Sequence, residues 1–210
     1  QLPFWSLTVY FSWKIYSGKN IKFIDCFLVG LFAAFGFLSK YLFVYLLLSI
    51  DLLFIYLILI RKNKKFDFMY LITFEVFLVV LVPHLIWLNN NDFITITYGL
   101  ARTGLEQSSL IDHIKYPLIF ITKQIGLLIP FIILLLLLIK KTKLKINLNN
   151  KEQLFLISIN ILPIFLMFLT SIITGSKIRT MWMTPFYLFF GTFFVYFFKS
   201  QINIQKLKPF

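Results

Sequence analysis

From Phe23 to Ile60, thirty-eight consecutive residues are interrupted by only three charges, Asp25, Lys40 and Asp51. As one straight helix rising about 1.5 Å per residue, that run would reach nearly twice the ~30 Å depth of a bilayer's hydrocarbon core. It has to fold as two apolar helices, and the turn is predicted at Ser39-Lys40, where the ammonium group can reach an interface. The same reading along the chain gives seven apolar segments: Leu2–Tyr16, Phe23–Ser39, Tyr41–Ile60, Phe66–Leu88, Tyr116–Ile139, Leu154–Thr174 and Trp182–Phe198. With 60% of the residues hydrophobic and 14% charged, against about 45–50% and 25% in soluble domains, a soluble fold is excluded. The expectation is an all-α, polytopic transmembrane helical bundle of about seven spans, with residues 1–210 forming one domain.

The net charge of +13 would suit a nucleic-acid partner only if the basic residues shared one soluble face, and instead they fall between the apolar segments. Taken alternately, the connections separate them. Lys14, Lys19, Lys22, Arg61, Lys62, Lys64, Lys65, Lys140, Lys141, Lys143, Lys145, Lys151, Lys199, Lys206 and Lys208 lie on one side, fifteen of the twenty-one. Lys40, Arg102, Lys115, Lys123, Lys177 and Arg179 lie on the other. The positive-inside rule makes the first side cytoplasmic. The chain starts at Gln1 with an apolar stretch that lacks a basic lead and a small-residue cleavage site, and it reads as a piece of something longer. Cys26 is the only cysteine, which excludes an internal disulfide and points to a packed thiol.

The unusual chemistry lies on the outer side. The connection Asn89–Lys115 carries Asp92, Arg102, Glu106, Asp112 and His113, and it is long for a link without a task. Gly175–Thr180 is short, yet it holds Lys177 and Arg179 on the side where basic residues are disfavoured. Each of Lys40, Lys177 and Arg179 alone reads as a cation at a helix end; together with Arg102 they suffice to neutralise a phosphate at headgroup level. Asp51 and Glu75 fall near the middle of their segments, where an unpaired charge costs on the order of 3 kcal/mol. They are expected to be protonated or hydrogen-bonded within the bundle, or else to form the midplane relay of a secondary transporter or flippase. Asp25 reads as solvated near the inner interface. Pro83 to Asn89 ends the fourth segment, with Trp87 suited to the aromatic belt. His84 and His113 lack a ligand spacing, so neither a metal nor a cofactor is expected. Gly30 and Ala34, four apart, permit close approach of another helix.

Three stretches carry a resemblance: Gly30 to Tyr41 with its Leu-Ser-Lys-Tyr end, Pro83 to Phe93, and Arg179 to Tyr187. In order and spacing they resemble the middle and later part of bacterial membrane glycosyltransferases of family 39, which are similar to dolichyl-phosphate-mannose protein mannosyltransferases and to the aminoarabinose transferase of lipid A. The resemblance implies a GT-C fold and inverting transfer of a hexosyl or pentosyl group from a polyprenyl-phosphate donor to a lipid, glycan or protein. It implies an active face that is periplasmic or lumenal; the expectation is a bacterial inner membrane with the periplasmic face active, and membrane lipids but no nucleic acid as partners. It places the catalytic acidic residue upstream of Gln1, so that no catalytic residue is named here. Lys40 matches the family's lysine facing the lipid phosphate; with Arg102, Lys177 and Arg179 it is expected on the donor phosphate. His84, Trp87, Asn89 and Trp182 are expected to line the substrate.

Overall fold

The turn demanded by the long apolar run falls at Lys40. In the computed structural model, which describes residues 1–104, 109–139, 146–199 and 201, helix α2 (Phe23–Ser39) ends there in extended backbone, and the chain re-enters a helix at Tyr41. That second helix begins as a 3-10 turn (Tyr41–Phe43), continues as α3 (Val44–Ile55) and widens into a π turn (Tyr56–Ile60). Around it stand α1 (Leu2–Ser17), α4 (Met69–Asn90), α5 (Ile94–Ala101), α6 (Asp112–Leu138), α7 (Lys151–Thr174), a 3-10 segment (Thr180–Tyr187) and α8 (Phe190–Phe198). Glu106, Lys140, Lys141, Lys143, Lys145, Lys206 and Lys208 lie outside the described residues.

The chain is an integral membrane protein of the all-helical kind, but with fewer full spans than seven. Among the described residues, four helices are long and apolar enough to cross a bilayer: Tyr41–Ile60, Met69–Asn90, Asp112–Leu138 and Lys151–Thr174. The pair Thr180–Tyr187 and Phe190–Phe198, bent by 50°, makes a fifth if taken as one broken span. Helices α1 and α2, with 16 and 17 residues, extend only about 24–26 Å and fall short of the ~30 Å core. The helix predicted to start at Tyr116 begins earlier, at Asp112.

Contacts between connections establish that successive helices run in opposite directions. At one end, rich in lysine, Lys64 Nζ donates to the carbonyl of Ile15 at 2.8 Å, Arg61 donates to Asn149 Oδ1 at 3.0 Å, and the Tyr196 hydroxyl donates to Asn150 Oδ1 at 3.3 Å. At the other end, His113 Nδ1 donates to the carbonyl of Ile172 at 2.7 Å, and the Lys177 amide donates to the carbonyl of Thr103 at 2.9 Å. The alternate connections set apart by charge in the sequence thus meet at opposite ends of the bundle. The second is called the α5 end below.

Helix α2 packs between α1 and α4, and α7 packs against α3 and α6. Gly30 is what lets α2 approach α4 so closely: a Cβ there would lie 2.5 Å from the carbonyl oxygen of Thr73, an approach only glycine permits. The core is aromatic toward the α5 end, where the Trp5 ring meets Phe43 and Phe186 with centroids 5.3 and 5.2 Å apart. Trp5 and Phe43 are 1% and 0% exposed, a floor of large rings beneath that face.

Three carboxylates stand elsewhere than expected. Asp25 is buried, 4% exposed, and its Oδ1 lies 2.5 Å from Lys14 Nζ; the solvated reading gives way to an ion pair joining α1 to α2, because the short 18–22 connection returns α2 directly beside the last turn of α1. Asp51 and Glu75 are exposed on the outward faces of α3 and α4 instead of being enclosed by the bundle.

Candidate functional site

The chain end after α7 is built by local chemistry that leaves little freedom. Gly175 closes the helix with a left-handed backbone, φ 65°, the conformation that glycine adopts most cheaply at this position. The following residues are then pinned by hydroxyls. Ser171 Oγ donates to the carbonyl of Ser176 at 2.9 Å, and the Ser176 amide donates to Thr174 Oγ1 at 3.3 Å. Ile178 turns inward and is buried, while Lys177 and Arg179 on either side of it point out, the alternation an extended segment imposes.

Opposite stands α5, reached from α4 through Asp92 and Phe93, both in left-handed backbone at φ 49° and 54°. Its last turn carries Tyr98 and ends at Arg102, whose Nη1 donates to the Tyr98 hydroxyl at 3.2 Å while the guanidinium sits 5.5 Å from the centre of that ring. Between the two elements lies a cavity of about 450 Å³ lined by Arg102, Lys177 and Arg179 together with Tyr98, Thr103 and Tyr116. Three cations converge there, with no acidic side chain in the lining among the described residues. Such an arrangement attracts a phosphate or another compact anion, and the phenols offer hydroxyls and ring faces for a polar ring bearing it.

The four cations singled out in the sequence therefore divide. Arg102, Lys177 and Arg179 share the cavity, whereas Lys40 stands at the α2–α3 turn and is not in its lining. Burial alone pushes the Lys40 ammonium below the usual lysine range. Next to it, the Tyr41 hydroxyl hydrogen-bonds His84 Nε2 at 2.8 Å and Thr95 Oγ1 of α5 at 2.7 Å. His84 in turn stacks on Trp87, with centroids 5.9 Å apart and planes 14° from parallel. Asn89 is exposed at the end of α4. Trp182 is half-buried against the core beneath. None of His84, Trp87, Asn89 and Trp182 is in the lining of the cation cavity.

Tyr98, Tyr116 and the Tyr41 hydroxyl were not marked by the sequence. Only the chain fold brings Tyr98 and Tyr116 beside basic residues that follow α7. A second cavity of about 460 Å³, between α1, α7 and α8, is lined mostly by apolar side chains such as Val9, Trp13 and Phe155 and shares no residue with the first. Among the described residues no group of three or more His, Cys, Asp or Glu is placed to hold a metal ion; His84 and His113 are engaged with Tyr41 and with the Ile172 carbonyl. Asp51 and Glu75 line neither cavity.

No curated protein and no solved structure gives a significant match to the chain. The model of one family does match, over residues 1–87, its description being dolichyl-phosphate-mannose-protein mannosyltransferase. That stretch runs from α1 to Trp87 near the end of α4, and it includes Lys40, Tyr41 and His84 but stops short of α5 and of the three-cation cavity. Over that stretch, somewhat less than half of the chain, the protein is similar to the dolichyl-phosphate-mannose-protein mannosyltransferase family.

Proposed function

We propose that the chain transfers a sugar from a polyprenyl-phosphate donor to a lipid, glycan or protein acceptor at the α5 end of the bundle, and that this end faces the periplasm of a bacterial inner membrane. The observation that carries the reading is the convergence of Arg102, Lys177 and Arg179 on one cavity whose lining, among the described residues, holds no carboxylate. Support for the orientation comes from the excess of basic residues in the connections of the opposite end.

In inverting transfer, the acceptor's oxygen or nitrogen bonds to the anomeric carbon from the side opposite the phosphate. The bond from that carbon to the phosphate oxygen breaks, its electron pair leaves with the polyprenyl phosphate, and the acceptor's proton passes to a general base. The phosphate gains negative charge as the bond lengthens. Cations already held in place stabilise that charge more than they stabilise the bound donor, and this difference lowers the barrier. Arg102 is held by Tyr98, and Lys177 and Arg179 by the pinned turn after α7, so little reorganisation is needed. Lys40 supplies a further cation at the other end of α5. Seven residues of helix, about 10 Å, separate Thr95 beside it from Arg102, so Lys40 and the cavity flank the donor headgroup from two sides. A phosphate is a good leaving group and needs little acid catalysis, whereas the acceptor needs a base.

The test is transfer of a labelled sugar from a polyprenyl-phosphate donor by the full-length protein. Lys40→Ala and Arg179→Ala should each cut the rate, and Lys62→Ala, at the opposite end, should leave it unchanged; equal rates in all three would overturn the assignment.

A further inference from the structure

Helix α5 has little of its own to hold it in place. None of its residues is buried, its eight residues are too few to persist as an isolated helix in water, and it is entered through two consecutive left-handed residues, Asp92 and Phe93, a costly conformation for side chains other than glycine. Yet it carries Tyr98 and leads into Arg102, which make up one wall of the basic cavity. What seats it must be tertiary contact, and a polar tether is found at each end.

At the far end the carbonyl of Thr103 accepts from the Lys177 amide. At the near end the tether is Tyr41. A phenol has one proton to give and lone pairs to receive, and the Tyr41 hydroxyl hydrogen-bonds both His84 Nε2 at 2.8 Å and Thr95 Oγ1 at 2.7 Å. The ring is fixed by Phe37 and His84, with centroids 5.3 and 5.9 Å away, and His84 is braced by stacking on Trp87. The atom that meets α5 is thus anchored to α2 and α4. Tyr41 and His84 fall within the stretch matched by the family model, while Thr95 and the cavity lie beyond it, so this hydroxyl joins the two parts.

We propose that Tyr41 is a positioning residue for sugar transfer: its hydroxyl, steadied by His84, seats α5 through Thr95 and thereby fixes Tyr98 and Arg102 in the wall of the basic cavity. The assignment rests on the reading of that cavity as the donor site, and the experiment below separates the two.

The full-length protein in lipid nanodiscs is compared with Tyr41→Phe, Thr95→Val and the double variant by amide hydrogen exchange and by transfer kinetics with a labelled polyprenyl-phosphate sugar. Tyr41→Phe keeps the ring and its aromatic contacts and removes only the hydroxyl. Exchange across residues 94–102 should quicken about fivefold, the effect of losing one ordinary hydrogen bond. The donor KM should rise by a similar factor with kcat within about twofold. Thr95→Val should do the same, and the double variant should be no worse than either single one, because both remove the same contact. Unchanged exchange across 94–102 in both single variants would overturn the seating role, as would quickening spread evenly over the whole chain with a lowered melting temperature. Faster exchange confined to α5 with an unchanged donor KM would keep the seating role and overturn the donor reading of the cavity.

Discussion

The Lys177 amide donates to the carbonyl of Thr103 at 2.9 Å, and this one backbone contact turns two separate connections into a single wall. Thr103 follows the last turn of α5, and Lys177 follows the glycine that ends α7. Because the bond is between main chains, it fixes the two segments whatever their side chains do. Arg102 and Lys177, neighbours of that bond, are held on the same cavity although their connections are far apart in sequence.

Removing any of the three cavity cations should weaken transfer without unfolding the protein. A hydrogen bond to a charged group contributes about 1.5–3 kcal/mol when sheltered. Lys177 and Arg179 are exposed to water, which places their effect toward the lower end. Arg102→Ala, Lys177→Ala and Arg179→Ala are each expected to lower kcat/KM about tenfold, with the melting temperature nearly unchanged since none of the three fills the core. The triple variant should lose less than the product of the three, because they act on one anion. Steady-state kinetics with thermal unfolding measured on the same preparations checks this.

Lys40 should give the reaction an alkaline limb. Its ammonium loses its proton below the usual 10.5 because burial disfavours the charged form, so in the free enzyme the cation disappears as pH rises through the lowered value. The profile of kcat/KM is expected to fall there, and the profile of kcat at higher pH, since a bound phosphate restores the charged form. Lys40→Arg should remove the limb, a guanidinium staying charged throughout. For stability the sign is opposite to that of a favourable ion pair: between the lowered value and 10.5 the unfolded chain binds more protons, so this group's contribution to stability rises with pH.

The helices were legible because lipid demands long apolar runs, and the turn at Lys40 followed from length alone. The number of full spans was not, because an apolar run in sequence says little about whether 16 or 17 residues reach across a bilayer. Asp25 read as solvated because its partner Lys14 lies on the preceding helix, and only packing brings the two to 2.5 Å. Helix α5 was hidden for a different reason. Its sequence, Ile-Thr-Ile-Thr-Tyr-Gly-Leu-Ala, is rich in β-branched residues and contains glycine, both poor helix formers, and its helical state rests on tethers from distant residues. The division of the four cations into three and one depends on the same helix, whose far end leads into Arg102 while its near end is tied to Tyr41, the residue after Lys40.

The approach of α2 to α4 should be intolerant of even one methyl group. A Cβ on Gly30 would stand 2.5 Å from the Thr73 carbonyl oxygen and 3.0 Å from Val76 Cβ, and a backbone oxygen cannot swing aside. Gly30→Ala is expected to destabilise by about 1–3 kcal/mol, the usual range for overpacking, visible as a lowered melting temperature in detergent. Gly191→Ala, where an added Cβ meets nothing within 4 Å and alanine is the better helix former, should not lower the melting temperature and serves as the control.

Gly175 should matter more to transfer than to stability. At φ 65° an alanine costs roughly 1–2 kcal/mol, because its Cβ crowds the backbone in the left-handed region. The relief available is to unwind the last turn of α7, which would release the Ser171 bond to Ser176 and shift Lys177 and Arg179 together. Gly175→Ala is therefore expected to lower kcat/KM by more than tenfold while lowering the melting temperature only modestly. Gly175→Asn should recover much of the loss, since asparagine accepts the left-handed conformation more readily than alanine. If alanine and asparagine behaved alike, backbone conformation at this position would not be what sets the two cations.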